Sequence, residues 1–239
     1  MKIIFSPSKE MIFKNSYKEQ VNFLEKTSQI INVLRTLDIN ELKSSFKISA
    51  KVLEEVEEYI KDFYKEESFK AIEMYNGLSF RWLDVWSLDK EARLYLEDQV
   101  KILSALYGPL SPETLIRPYR LDFNTSLKID NKSLKNFWKE DYGKSFEKGE
   151  VIINLASNEF SSLLNRKDFI FYDFEFFEEG KGKLKSHSTI SKKARGLMLR
   201  YLALNQITDL EKIKSFNLDS YSYRADLSED RKFVFVKRL

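Results

Sequence analysis

The chain contains no cysteine and only one histidine, His187, among its 239 residues. Without cysteine there is no disulfide, thiolate zinc site, iron–sulfur cluster or cysteine nucleophile, and a lone histidine excludes metal sites built from several histidines. We therefore assign no metal, no cofactor and no catalytic residue from the sequence. Enzymes that depend on a thiolate or on a cluster of histidines are excluded.

Glycine and proline are also scarce, with seven and four residues. No Ser/Gly/Pro-rich linker and no tandem repeat divides the chain, so we predict a single domain over residues 1–239. No run of 18 apolar residues occurs, and the apolar run near the N-terminus is only three residues long, so neither a membrane span nor a signal peptide is predicted. We expect a cytoplasmic monomer that does not contact a membrane.

The charges nearly cancel, because 40 Lys and Arg face 37 Asp and Glu, for a net charge of +3. This balance excludes a histone-like basic chain, so any basic surface must be local. Apolar residues make up 43% of the chain and aromatic residues 14%, which is enough for a sizeable core.

Local patterns predict strands near both ends of the chain and helices between them. Short apolar, aromatic-rich or alternating runs indicate strands at 3–5, 151–155, 169–177 and 232–237. Apolar residues spaced by three and four indicate helices over 17–34 and after Ser49. This order favours the α+β class, in one mixed α/β domain, over a regular βαβ winding. The absence of GxGxxG and GxxxxGK[ST] disfavours a Rossmann fold and a P-loop.

Residues 181–200 carry seven Lys or Arg residues and no acid. We predict a strand from 183 to 190, pairing with 169–177, and a helix over 191–205 that begins at a Ser191 cap. Gly196 would lie on the basic face of this helix, where we interpret it as room for the close approach of an anion. The residues expected to bind phosphate here are Lys183, Lys185, Lys192, Lys193, Arg195, Gly196 and Arg200. A soluble basic helix paired with acids of 173–179 is the alternative.

Residues 101–121 hold three of the four prolines. A predicted helix over 89–106, a break at Tyr107-Gly108-Pro109 and a short helix beginning at Ser111 resemble a helix-hairpin-helix, which grips a phosphate backbone without reading bases. A strand through 102–106 is the alternative. The residues expected to contact phosphate are Lys101, Tyr107, Gly108, Arg117, Tyr119 and Arg120. Pairing of the two arginines with Glu113 and Asp122 stays open.

Polar residues directly follow two of the predicted strands. Ser6 and Lys9 come after the first strand, and Asn154, Ser157 and Glu159 come at the end of the strand at 151–155. Ligands are often bound at strand ends, so these residues are candidates for a polar pocket. A capped helix start explains the second group equally well.

Five ordered blocks resemble the YaaA-type peroxide-stress resistance family. They are SPSK at 6–9, AIEMYNGL at 71–78, KILSALYGPLSPETLIRPYRLDF at 101–123, NLASNEF at 154–160 and KKARGLMLR at 192–200. The resemblance implies a single mixed α/β domain with a melon-slice outline. It also implies a cytosolic role that limits peroxide damage in connection with intracellular iron, and binding of duplex or branched DNA through a helix-hairpin-helix and a positive cleft.

We therefore predict a protein that binds double-stranded or branched DNA without sequence preference, by its phosphates, in a basic cleft. The alternative is an enzyme that acts on a nucleotide or another phosphorylated small molecule, with Glu159 as acid or base. A long groove would fit a duplex, whereas a closed pocket of roughly a few hundred Å³ would fit a metabolite. Under both hypotheses, six residues should converge: Lys9, Arg120, Asn154, Glu159, Lys193 and Arg195.

Overall fold

The computed structural model describes residues 1–19, 21–65 and 67–238, which contain twelve strands and ten α-helices. The strands are β1 Lys2–Phe5, β2 Phe69–Lys70, β3 Val100–Ser104, β4 Gly108–Leu110, β5 Leu115–Ile116, β6 Lys128–Ile129, β7 Lys132–Ser133, β8 Val151–Leu155, β9 Ile170–Gly180, β10 Lys183–Lys185, β11 Tyr221–Tyr223 and β12 Lys232–Arg238. The helices are α1 Glu25–Thr36, α2 Ile39–Phe46, α3 Ala50–Lys61, α4 Ala71–Met74, α5 Leu78–Leu83, α6 Lys90–Gln99, α7 Leu134–Trp138, α8 Asn158–Ser161, α9 Ser188–Leu204 and α10 Leu210–Ile213. Within the described ranges, no helix has both the length and the apolarity needed to cross a bilayer.

An eight-stranded mixed sheet forms the centre of the domain, in the order β4-β3-β1-β8-β9-β12-β11, with β10 paired to β9. Five central strands are parallel to one another, namely β3, β1, β8, β9 and β12. The strands β4, β10 and β11 are antiparallel to their neighbours. Parallel strands are covered on both faces and need continuous apolar runs, as in β1, where Ile3, Ile4 and Phe5 are all buried. The prediction of one mixed α/β domain is confirmed. The segregation of strands from helices that defines the α+β class is not found, because helical crossovers connect the parallel strands.

Several predicted elements occur where the local patterns place them. The four strands predicted at 3–5, 151–155, 169–177 and 232–237 are β1, β8, β9 and β12, and the helix after Ser49 is α3. The first helix begins at Glu25 and not at Tyr17. The returning strand β10 has only three residues, since α9 begins at Ser188, ahead of the predicted Ser191 cap.

The predicted helix-hairpin-helix, with a helix over 89–106 and a second one beginning at Ser111, is wrong. Helix α6 ends at Gln99, and the next five residues form β3, which lies between β1 and β4 with its apolar side chains buried. The Oγ atom of Ser104 accepts the N–H groups of Leu106 and Tyr107 at 3.1 and 3.0 Å, and Gly108 takes a φ of +76°, so the chain turns into the antiparallel β4. Pairing with β1 therefore overrides the helical pattern.

The strand order creates a switch point between β1 and β8. The chain leaves β1 toward β3 on one side, and it leaves β8 toward β9 on the other side. The carboxyl ends of two parallel strands whose connections diverge in this way leave a crevice, where open α/β sheets bind their ligands. The fold therefore points to the residues that follow Phe5 and Leu155.

Candidate functional site

A pocket of about 540 Å³ opens at the carboxyl ends of β1 and β8. Its walls come from five stretches of the chain, within 5–10, 77–81, 119–122, 155–160 and 189–195. The Oγ atom of Ser6 accepts the N–H of Ser157 at 2.8 Å, which ties the two strand ends together. The pocket therefore occupies the switch point of the sheet.

The segment at 77–81 forms a wall that sequence reasoning did not place at the site. A Cβ atom on Gly77 would lie only 2.3 Å from the Oγ atom of Ser8, so the glycine allows the loop after β1 to close onto the start of α5. Ser8, Thr189 and Asp122 also line the pocket and were not predicted as site residues. The glycine of the block at 71–78 was the available signal, but its close contact with Ser8 is not visible in the sequence.

Four cationic side chains from the predicted set line this pocket: Lys9, Arg120, Lys192 and Arg195. On α9, Thr189, Lys192 and Arg195 are spaced by three residues and so share one face. Arg195 is largely buried, which lowers its pKa, and its Nε atom has no hydrogen-bond partner. Among the described residues, neither Arg120, Lys192 nor Arg195 forms an ion pair. A buried donor without a partner, next to cations without an ion pair, is an arrangement suited to an anionic ligand.

Three acidic residues also line the pocket, namely Glu10, Asp122 and Glu159. Asp122 forms an ion pair with Lys9; burial alone would raise the pKa of Asp122, but this hydrogen-bonded cation lowers it. The Oε1 atom of Glu159 accepts the N–H of Phe123 at 3.0 Å, while burial and then the charge of Asp122 raise the pKa of Glu159. Neighbouring carboxyl groups whose pKa values are pushed apart are suited to acid–base chemistry.

A family model described as peroxide stress protein YaaA matches residues 1–227. The chain belongs to the YaaA peroxide-stress family. It is 39% identical to a UPF0246 protein of Fusobacterium nucleatum subsp. nucleatum, 38% identical to one of Finegoldia magna and 35% identical to one of Streptococcus gordonii. Each alignment covers 100% of this chain and 99% of the relative. The resemblance seen in five blocks is confirmed, and it extends along the whole chain.

The structure of this YaaA-family chain brings together four of the six residues expected to converge, namely Lys9, Arg120, Glu159 and Arg195. Asn154, at the end of β8, does not line the pocket, and its Nδ2 atom donates to Asp173 of the neighbouring β9 at 2.7 Å. Lys193 forms an ion pair with Asp219 at 2.8 Å and lies 4.1 Å from the centre of the Trp82 ring. Asn154 and Lys193 therefore connect neighbouring elements and do not line the pocket.

A second row of α9, formed by Lys193, Gly196 and Arg200, faces α5. A Cβ atom on Gly196 would lie 2.1 Å from the backbone oxygen of Ser79. Arg200 donates to the backbone oxygen of Leu83 at 2.9 Å, at the end of α5. The interpretation of Gly196 as room for an anion is wrong, because the space is taken by the backbone of α5. The cations predicted on a single basic face of α9 therefore form two rows, one that lines the pocket and one that packs against α5.

The remaining predicted residues lie outside the pocket, with Tyr119 as the exception. Lys183 and Lys185 are exposed on β10, and Lys101 donates to the Oγ atom of Ser111 at 2.7 Å. Arg117 donates to the backbone oxygen of Phe63 at 2.7 Å.

Tyr107 and Gly108 are buried in the core, so they offer no surface to a phosphate backbone. Tyr119 lines the pocket with its ring, while its hydroxyl lies 2.7 Å from that of Tyr75 and 2.8 Å from that of Ser104. Burial raises the pKa of Tyr119 to about 12. The hydroxyl of Tyr119 therefore belongs to a neutral hydrogen-bond network behind the pocket wall.

Proposed function

We propose that this protein of the peroxide-stress family binds DNA by holding its phosphates in the pocket at the switch point. The observation that carries the proposal is the convergence of Arg120, Lys192 and Arg195, none of which forms an ion pair among the described residues. Guanidinium groups present several N–H donors to phosphate oxygens, and lysine adds a compact positive charge. Contacts of this kind carry no information on base sequence.

The position of Arg195 supports an anionic ligand. Arg195 is largely buried, and its buried Nε donor has no partner among the described residues. A phosphate oxygen would satisfy that donor, and the attraction would be stronger than at an exposed cation because the local dielectric constant is lower. A volume of about 540 Å³ has room for a single nucleotide unit, so the pocket would hold one short part of the backbone while the rest of a duplex lies outside it.

Binding to a fluorescently labelled 20-base-pair duplex, measured by anisotropy over a range of salt concentrations, tests this proposal. The logarithm of affinity should fall with the logarithm of salt at about 0.9 for each phosphate contact, with little dependence on sequence. The double variant Lys192→Gln/Arg195→Gln should bind more weakly and with a shallower slope. Lys43→Gln/Lys51→Gln, which removes two exposed charges elsewhere, is the matched control. Salt-independent binding, or unchanged binding by the pocket variant, would contradict the proposal.

The pocket volume of about 540 Å³ and the pair Glu159 and Asp122 favour one second candidate, an enzyme that acts on a nucleotide or another phosphorylated small molecule. In a hydrolysis, water would form the new bond to phosphorus as the P–O bond to the leaving group breaks, and Glu159 would deliver its proton to the departing oxygen. Incubation with a panel of nucleotides and sugar phosphates, followed by phosphorus NMR, tests for turnover. An enzyme should lose turnover in Glu159→Gln while still binding the substrate. Binding without turnover by the unaltered protein would leave DNA binding as the function.

A further inference from the structure

A second basic surface lies outside the pocket, in an open groove of about 1050 Å³. Its sides are α7, the 3-10 helix Tyr142–Ser145 and the loop at 162–169. Six cations line it, against the two acids Glu140 and Asp168; the cations are Lys135, Lys139, Lys144, Lys148, Arg166 and Lys167. Asp141 and Asp173 also pair with two of these cations, so six positive charges face four negative ones. We call this surface the lysine groove.

Four of these six cations form no ion pair among the residues that the structure describes. Lys144 pairs with Asp141 and Arg166 pairs with Asp173, each at 2.7 Å. The other four make no ion pair within the described part of the chain. Like charges held close together repel one another, so the folded protein gains when a polyanion binds among them.

The chemistry of the lysine groove fits a nucleic-acid backbone better than a protein or a lipid surface. None of the large hydrophobic side chains that are exposed on the molecule lies in it, and its own Phe146, Leu163 and Phe169 are buried. Protein interfaces have an apolar, aromatic centre, and helices that lie on membranes present an apolar face. Lysines accompanied by polar groups such as those of Asn136 and Ser162 are the donors that contact phosphate and sugar.

The lysine groove adjoins the pocket across the short helix α8. Glu159, within α8, lines the pocket, whereas Ser162, which follows α8, lines the groove. Lys135 of the groove is close enough for its charge to act on Glu159. The groove extends from beside the pocket to Lys148, which precedes the start of β8, so its far end lies about the length of this strand from the pocket. Five residues of strand span roughly 17 Å, or about five nucleotide steps along one DNA strand.

We propose that the lysine groove is a second phosphate-contacting surface, along which the DNA backbone leaves the pocket. The inference rests on the proposed function, since it needs DNA as the ligand. It adds the direction in which the backbone runs and a minimum length of about five nucleotides for full contact.

The test compares two probes that differ in reach. The triple variant Lys139→Gln/Lys148→Gln/Lys167→Gln removes three exposed charges from the groove, and Lys43→Gln/Lys47→Gln/Lys51→Gln removes three exposed charges from α2, α3 and the turn between them. The groove variant should bind the 20-base-pair duplex roughly tenfold more weakly, and its salt slope should be shallower by about 0.9 for each phosphate that the groove no longer neutralises. Binding of a single 5′-mononucleotide, which reaches only the pocket, should be unchanged.

The outcomes separate this inference from the proposed function. If the groove variant binds duplex like the unaltered protein while Lys192→Gln/Arg195→Gln binds weakly, the groove inference is overturned and the proposed function stands. If both triple variants weaken binding equally, the effect is one of overall charge, and the groove inference is overturned. If the groove variant loses binding only to anionic phosphatidylglycerol vesicles, the surface is a lipid contact and the inference fails. If the unaltered protein binds no duplex at all, both fail.

Discussion

Replacement of Gly196 by alanine tests how α5 and α9 pack. The added Cβ atom would lie 2.1 Å from the backbone oxygen of Ser79 and 3.0 Å from the Cβ atom of Trp82. The first contact is with backbone, so no side-chain rotation can relieve it, and the two helices must separate. Overpacking of a core typically costs about 1–3 kcal/mol, and the severity of this contact points to the upper end of that range.

The intrinsic helix preference of alanine acts in the opposite direction. Alanine in place of a helical glycine stabilises by about 1 kcal/mol. The expected net loss is therefore about 2 kcal/mol in the free energy of unfolding. For a domain of this size that corresponds to a fall in Tm of about 4–8 °C.

Thermal melts followed by far-ultraviolet circular dichroism, together with urea unfolding, measure this loss. Gly143→Ala is the matched control, since its Cβ atom would meet the ring of Phe169 at 3.8 Å, an ordinary contact. The control should change stability by less than about 0.5 kcal/mol. A Gly196→Ala protein that melts at or above the temperature of the unaltered protein would refute the packing argument. Normal melting with loss of phosphate binding would restore a ligand role for this glycine.

Two further predictions concern buried polar groups. Tyr119→Phe should lower the free energy of unfolding by about 1–3 kcal/mol in urea, because the hydroxyls of Tyr75 and Ser104 lose a buried partner; an equal effect of the exposed control Tyr64→Phe would contradict this reason. The folded-state pKa of Glu159 is raised, so ionisation of this carboxyl removes stability as the pH rises through the raised pKa. The Tm of Glu159→Gln minus the Tm of the unaltered protein should therefore be larger at about pH 8 than at about pH 4. A Tm difference that is the same at both pH values would refute the assignment.

Local sequence patterns predict the strands whose apolar runs are short and isolated, but they do not assign the segment after α6. Val100 to Ser104 continues an apolar pattern directly from a helix, and a short apolar run fits a buried helical turn as well as a buried strand. The deciding contact is the pairing of Ile3 with Val100, which lies far along the chain and is not visible locally. The helix-hairpin-helix prediction failed for this reason.

The sequence predicted which residues belong to the candidate site better than it predicted how these residues are arranged. Ser6, Ser157 and Glu159 were expected in one polar pocket, and they meet because β1 and β8 pair in parallel with Phe5 opposite Leu155. The helical pattern of α9 placed its cations on a single basic face. It could not indicate that one row of α9 meets the pocket and the other meets α5, since this depends on what packs on each side of the helix.

The central place of β1 in the sheet has a consequence for synthesis of the protein. Ile3 pairs with Val100 on one side and with Ile153 on the other, so both partners are made long after β1 has left the ribosome. Adding about 100 residues takes roughly 5–20 s at ordinary rates of translation. Throughout that delay, an apolar strand with two unpaired edges is open to aggregation. The nascent chain should therefore depend on a chaperone that binds its first residues until β3 and β8 emerge.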